Sequence, residues 1–171
     1  PNFTMVYGRT FTDRYGADNR EVWFHKYLDD YWRDFSNYYS PINFRVIRYA
    51  DVLLMYAECL NELGQTAAAY PYVDQVRERA HLAKLSVVKP GLNKDQFLLQ
   101  LKHERVCELS GEGTRWNDLA PWGVLDDANK VRAIAQRDSD FENFQAGKHK
   151  LLPIPQSEID INTKLQQNPN W

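Results

Sequence analysis

Cysteine and methionine are scarce in this 171-residue sequence, two of each. No apolar run approaches the roughly 18 residues that a membrane-crossing helix needs. The first residues, Pro1-Asn2-Phe3-Thr4, show no basic stretch leading into an apolar core, so no secretory leader is read there. An excess of one charge is missing too. The net charge is -2, which offers no basic field to a nucleic acid, and no nucleic-acid partner is expected. Several catalytic signatures are absent: there is no Cys-x-x-Cys, no Gly-x-x-x-x-Gly-Lys and no Gly-x-Ser-x-Gly. The histidines, His25, His81, His103 and His149, are scattered, and His103-Glu104 lacks the second histidine four residues on that a zinc-protease helix carries. The acids between Asp13 and Asp18, and Asp126-Asp127, do not complete a calcium loop and read as solvated loop residues. No metal and no cofactor is expected. Cys59 and Cys107 both fall in helix-like apolar stretches, where a free thiol behaves as a small buried hydrophobe.

Aromatic residues, by contrast, are plentiful: 5 Trp, 10 Tyr and 8 Phe. Many of them crowd the first 41 residues, which lack helical periodicity and carry Gly8, Gly16 and Pro41. This segment reads as loop and edge structure that packs on something else. Within it Trp23, Tyr27, Tyr31, Trp32, Tyr38 and Tyr39 lie close together, next to Asp29, Asp30, Arg33 and Asn37. Sugar rings expose C–H faces that stack on Trp and Tyr, while carboxylates and amides bond hydroxyls. Trp23, Tyr31, Trp32, Tyr38 and Tyr39 are therefore the candidate ligand-binding residues. The competing reading of the same cluster is packing of the segment onto its neighbours, and both stay open.

From Phe44 the period changes. Val46, Ile47, Ala50, Leu53, Leu54, Ala57, Leu60 and Leu63 recur at steps of three and four, which predicts an amphipathic helix. Gly64 stands where a helix ends, and Thr66 is placed to cap a second helix running to about Ala80, with Pro71 one turn in. Leu53, Tyr56, Ala57 and Leu60, then Ala69, Val73 and Val76, fit the inner faces of a tetratricopeptide-like pair, although the usual Trp and Pro of that motif are absent. Asn93 and Gln96 form a capping box for a helix that Gly111 stops. Thr114 is set to cap a short helix through Leu119. Another helix is expected from Asp126 to about Phe144. The two closely spaced prolines, Pro153 and Pro155, require an extended tail with one short turn near Ser157–Asn162.

Glu104, Glu108 and Glu112 are spaced four apart. Paired carboxylates are what a glycosidase uses. Arg105 and Arg115 lie close in sequence, however, and charges at inward positions must be paired. A buried Glu–Arg network that pins helices accounts for the row better, because catalytic carboxylates usually come from separate elements.

Three blocks then stand in order: Arg48-Tyr49-Ala50-Asp51-Val52-Leu53-Leu54-Met55-Tyr56-Ala57-Glu58; Glu104-Arg105 to Glu112-Gly113-Thr114-Arg115-Trp116-Asn117-Asp118-Leu119; and Leu151-Leu152-Pro153-Ile154-Pro155 with Gln167-Asn168-Pro169-Asn170-Trp171. Together they resemble the C-terminal part of SusD/RagB-family proteins, over about Asn43 to Trp171. Ala120-Pro121 departs from the more usual basic residue before Trp122. The resemblance implies a mostly α fold of tetratricopeptide-like helix pairs with long irregular loops, with a helical domain at 43–171; residues 1–42 match only loosely and are read from their own composition as an aromatic-rich segment packing on the rest. The resemblance also implies a non-enzymatic nutrient-binding protein at the outer-membrane surface. The implied partners are an oligosaccharide or polysaccharide, a SusC-like TonB-dependent transporter, and the membrane through a lipid anchor outside this sequence. Composition alone would have suggested the cytosol; the resemblance outweighs it. A tetratricopeptide scaffold for a peptide partner and an enzyme using the Glu104–Glu112 face are the rival classes.

Overall fold

Local chemistry sets the element boundaries. In the computed structural model, which describes residues 9–10, 12–13, 16, 26–27 and 42–171, the chain forms α1 (Tyr49–Glu62), α2 (Thr66–Arg79), α3 (Leu85–Val88), α4 (Lys94–Leu109), α5 (Arg115–Leu119), α6 (Ala128–Ala135), a 3₁₀ turn (Ser139–Phe141) and α7 (Gln156–Ile161). No strand is found among the described residues. The chain divides into two compact units, Pro1–Glu112 and Gly113–Trp171. The composition-based segment 1–42 lies mostly outside the described residues.

In the first unit, α1 and α2 make a helical hairpin. Gly64 adopts φ +77°, and its N–H bonds Asn61 O at 3.0 Å while Gln65 N–H bonds Leu60 O at 2.8 Å. This paired closure satisfies two orphan carbonyls and needs a left-handed residue at Gly64. Leu53, Leu54, Ala57 and Leu60 of α1 meet Ala69, Tyr70, Val73 and Val76 of α2, with Leu85, Phe97 and Leu101 completing the core. Burial of each large side chain contributes about 1.5–3 kcal/mol. The capping box at α4 forms as expected: Asn93 Oδ1 accepts Gln96 N–H at 2.9 Å, and Gln96 Oε1 accepts Asn93 N–H at 3.1 Å. Tyr70 rests edge-on to Phe97, and its hydroxyl donates to Lys89 O and accepts from Leu92 N–H. That one phenol fixes the α3–α4 connection.

Several expectations are corrected. The first helix starts at Tyr49, not Phe44, so Val46 and Ile47 lie before it and are exposed. Tyr56 is half-exposed and sits edge-on to Tyr72 of α2, rather than facing inward. Thr66 does not cap α2. Its hydroxyl donates to Asn61 Oδ1 at 2.8 Å. Cys59 and Cys107 are free and exposed, since both fall on outer helix faces.

The second unit is held by aromatics and amides. Trp116, Phe144, His149 and Trp171 form a row of ring contacts at 5.8, 5.7 and 5.3 Å. The expected helix from Asp126 to Phe144 breaks after α6, because Asp138 takes the N–H of Asp140 and starts a separate 3₁₀ turn. Asp126 and Asp127 have ordinary roles: Asp126 pairs with Lys150 at 2.7 Å, and Asp127 caps α6. Thr114 precedes α5 without a side-chain capping bond. The proline-bearing segment is extended, as expected, and it has a partner. Gln167 gives its amide N–H to Ile154 O at 2.9 Å and accepts Ile154 N–H at 2.8 Å, while Asn168 donates to Leu152 O at 2.6 Å. Two side-chain amides thus supply what a neighbouring strand would. Trp171 closes the clasp through its indole N–H to Leu151 O at 3.0 Å, with the Lys148 ammonium 4.6 Å from its ring.

Asn61 is fully buried and joins three helices: its carbonyl takes Thr66 Oγ1, and its amide donates to Lys94 O at 3.0 Å. Replacing it removes the acceptor of the Thr66 hydroxyl and the side-chain link to Lys94 O, and leaves space at a fully buried position. Asn61→Ala is expected to lower the unfolding free energy by about 1–3 kcal/mol, read from urea midpoints at unchanged m value.

Candidate functional site

Glu104 and Glu108 stand one above the other on α4, as a four-residue spacing dictates. Glu112 lies beyond the helix. Ser110 (φ -56°, ψ 132°) and Gly111 (φ +78°) make a type II turn closed by Glu112 N–H to Leu109 O at 3.1 Å. The turn needs positive φ at its third residue, which glycine supplies without strain. It folds Glu112 back beneath the helix end, and all three carboxylates are buried.

Each is met by a cation. Arg77 reaches Glu104 at 2.5 Å, and Gln100 adds a second bond to the same oxygen. Arg48 divides its guanidinium between Glu108 (2.9 Å) and Glu112 (2.7 Å). Arg79 adds to Glu108, and Lys26 reaches Glu112 at 2.6 Å. A parallel pair, Arg105 with Asp51 at 2.9 Å, joins α4 to α1. Asp51 Oδ1, Arg105 Nη1 and Glu108 Oε1 are buried without a well-aligned hydrogen bond in their pairs. At 2.9 Å, attraction between opposite charges supplies what bond direction does not.

The cations also close α4. Its last turn has no basic residue, and the last carbonyls of a helix lack intrahelical donors. Glu108 O accepts from Lys26 Nζ at 2.5 Å and Arg48 Nη2 at 3.0 Å. Positive charge there also suits the negative end of the helix dipole. Arg48 occupies the N-cap of α1 without a side-chain capping bond, where Ser, Asn or Asp would serve the local helix better. Its side chain serves α4 instead.

This network pairs each carboxylate with a cation. Burial alone would push the Glu112 carboxyl up, but hydrogen bonds from Arg48 and Lys26 outweigh it and leave the group below the ordinary 4.5. A glycosidase acid needs the opposite shift. The Arg48 guanidinium is raised, chiefly by its bond to Glu112, so it stays charged throughout. Among the described residues no group of three or more His, Cys, Asp or Glu could hold a metal ion.

The expected network is therefore present, with different partners. Arg105 serves Asp51, while Arg115 belongs to the second unit and lies over the Trp122 ring at 5.9 Å. Lys26, Arg48, Arg77 and Arg79 were missed because each is distant in sequence from the carboxylate it meets. A signal existed for Arg48: a long cation at a helix start that calls for a short polar cap. Of the candidate ligand-binding residues, Trp23, Tyr31, Trp32, Tyr38 and Tyr39 all lie outside the described residues. Their neighbour Tyr27 is half-buried and stacked on Phe44, with ring centroids 6.1 Å apart. A groove of about 650 Å³ runs between α1 and α2, walled by Ile47, Tyr49, Leu53 and Val76 with Arg45 and Arg79. Lys26, Tyr27, Arg45, Arg48, Arg79, Glu108 and Glu112 enclose a smaller hollow of about 160 Å³.

Two outcomes are expected. Arg48→Met removes one of two cations from each of two buried carboxylates and one donor from a carbonyl, leaving Arg79 and Lys26 in place, and should cost about 1.5–3 kcal/mol, read by urea denaturation near neutral pH. Because the folded Glu112 carboxyl lies below its unfolded value, its contribution is complete above about pH 4.5 and is lost as pH falls through the folded value. Glu112→Gln should lower stability at neutral pH, and the gap to the parent should shrink on acidification. A gap that stays constant with pH would show that the Glu112 charge contributes nothing.

Comparison with known proteins places this geometry. The pattern of the SusD family matches residues 4–171, reaching further upstream than the three blocks. SusD-like protein P25 of Formosa agariphila is 38% identical over 123 residues, 72% of this chain and 23% of that protein. SusD-like protein P2 of the same organism is 33% identical over 134 residues, 75% of this chain and 26% of its own length. A crystal structure of a SusD superfamily protein from Bacteroides vulgatus superposes with a TM-score of 0.76 at 30% identity, covering 100% of this chain and 37% of that one. The chain thus spans about a quarter of the curated relatives it matches. With the family pattern running almost end to end and the helical fold shared with a solved member, the chain belongs to the SusD family.

Proposed function

We propose that this chain is part of a cell-surface protein that binds a glycan nutrient and passes it to a SusC-like TonB-dependent transporter in the outer membrane. The observation that supports this reading is the family match over residues 4–171. The work proposed is binding rather than bond cleavage. Among the described residues, the row of buried carboxylates is paired with Lys26, Arg48, Arg77 and Arg79, and the Glu112 carboxyl is held below its ordinary value, the opposite of what a glycosidase acid needs. Affinity would come from an aromatic platform in the early segment, with Trp23, Tyr31, Trp32, Tyr38 and Tyr39 stacking on sugar faces. No helix among the described residues is long and apolar enough to cross a membrane. Attachment through a lipid anchor outside these residues is part of the proposal and rests on the family alone.

One observation favours a second reading, a helix-pair scaffold for a peptide. The α1–α2 groove combines apolar walls with the exposed guanidinium of Arg79, which suits an extended chain bearing a carboxylate.

Isothermal calorimetry of the full-length protein against an oligosaccharide panel and a peptide panel separates the two, with Trp23→Ala and Trp32→Ala alongside. The expected result is saturable heat with one glycan class, no hydrolysis products, and about tenfold or greater weakening in at least one variant, the usual cost of a lost stacking face. Heat with peptides and none with glycans would overturn the first reading in favour of the second.

A further inference from the structure

Away from the carboxylate row, the outer side of α4 carries a second pair of reactive side chains. His103 and Cys107 are four residues apart and both exposed, so one stands above the other across a single turn. Cys107 Sγ and His103 Nε2 are 3.6 Å apart. A free thiol with a merely structural role is usually buried. Cys59 is exposed as well, but the residues three and four away from it, Met55, Tyr56, Glu62 and Leu63, include no imidazole.

The separation fits more than a weak thiol–imidazole hydrogen bond. In tetrahedral zinc sites the metal lies about 2.3 Å from a thiolate sulfur and about 2.0–2.1 Å from an imidazole nitrogen. At the tetrahedral angle, those two bonds hold sulfur and nitrogen about 3.5 Å apart. His103 and Cys107 therefore already span the bite of such an ion. The helix that carries them is fixed from its other side, by Phe97 and Leu101 in the core and by the ion pairs of Glu104 and Glu108. Two donors on a fixed turn lose little freedom when an ion binds. No basic side chain lies in the last turn, where Cys107 sits, and the carbonyl end of a helix favours positive charge.

We propose that His103 and Cys107 form a surface site for a borderline-soft metal ion of the zinc type, with water completing the coordination. Thiolate and imidazole select such ions over calcium and magnesium, which take oxygen ligands. Loading is an exchange of a proton for a metal ion. The Cys107 thiol gives its proton to solvent, lone pairs of the sulfur and of neutral His103 Nε2 bond the ion, and nothing is oxidised or reduced. The site does not depend on what nutrient the protein binds.

The test is titration of the reduced full-length protein with cobalt(II) near neutral pH, read by absorption, since the colour of cobalt reports its ligands. Cys107→Ser, His103→Ala and Cys59→Ser are titrated beside the parent. All three positions are exposed, and circular dichroism checks that each variant keeps its helices. The expected result is a thiolate charge-transfer band with tetrahedral ligand-field bands, half-saturated below about 0.1 mM cobalt and bleached by zinc. Cys107→Ser should lose the charge-transfer band, His103→Ala should weaken binding at least about tenfold, and Cys59→Ser should match the parent. Half-saturation only above about 0.1 mM would leave the pair as a hydrogen bond. Unchanged binding in His103→Ala would leave a lone thiol, and a band that survives Cys107→Ser would put the ion elsewhere in the protein. Each of these three results overturns the inference.

Discussion

The grip on the C-terminal end of α4 is the interaction on which the first unit depends. A helix ends with unpaired carbonyls and a partial negative charge, and α4 with the turn that follows it adds three buried carboxylates. Nothing in α4's own last turn offsets this. Arg48 and Lys26 come from elsewhere and bind the Glu108 carbonyl and the Glu112 carboxylate together. The hairpin and α4 could share an apolar core without this grip, but the rotation of α4 about its axis would then be set by shape alone. Apolar contacts tolerate rotation far better than paired charges do.

In the second unit the organising constraint is backbone satisfaction. A segment with two prolines can neither join a helix nor pair fully as a strand, yet its remaining N–H and C=O groups still need partners. Gln167 and Asn168 supply them. Those two amides give the proline segment a fixed place in the second unit. The assignment of glycan capture to the aromatic segment rests on chemistry and family, and the described part of the molecule supplies the frame.

Much of this frame was legible in the sequence. Helical period, the capping box at Asn93 and the stop at Gly64 are local codes, written within four or five residues, and each is realised. The pairing of the Glu104, Glu108 and Glu112 row was legible as a need, since buried charge demands a partner. The identity of the partners was not, because Arg48 and Lys26 approach Glu112 across 64 and 86 residues of chain. The helix expected through Asp138 failed for a local reason, as a short acid satisfied a nearby N–H better than the helix could. The inward reading of Tyr56 failed because it followed a motif template, whereas the ring lies on the outer side of α1 against Tyr72. The three family blocks were legible as a set, and the family pattern confirms them.

Gly111 carries a consequence for how α4 finds its place. Carboxylates repeating every four residues are nearly periodic with the helix, so sliding α4 by one turn would bring Glu104 to the seat of Glu108 with little change in local geometry. A strictly helical row would be degenerate in this way, and mis-registered packing would be a competing minimum. The turn at Ser110-Gly111 takes Glu112 off the helical lattice. The seat formed by Arg48 and Lys26 then accepts a carboxylate presented from a turn, which no residue within the helix can imitate. One left-handed glycine thereby removes the ambiguity from an otherwise repeating pattern and leaves a single register for the helix.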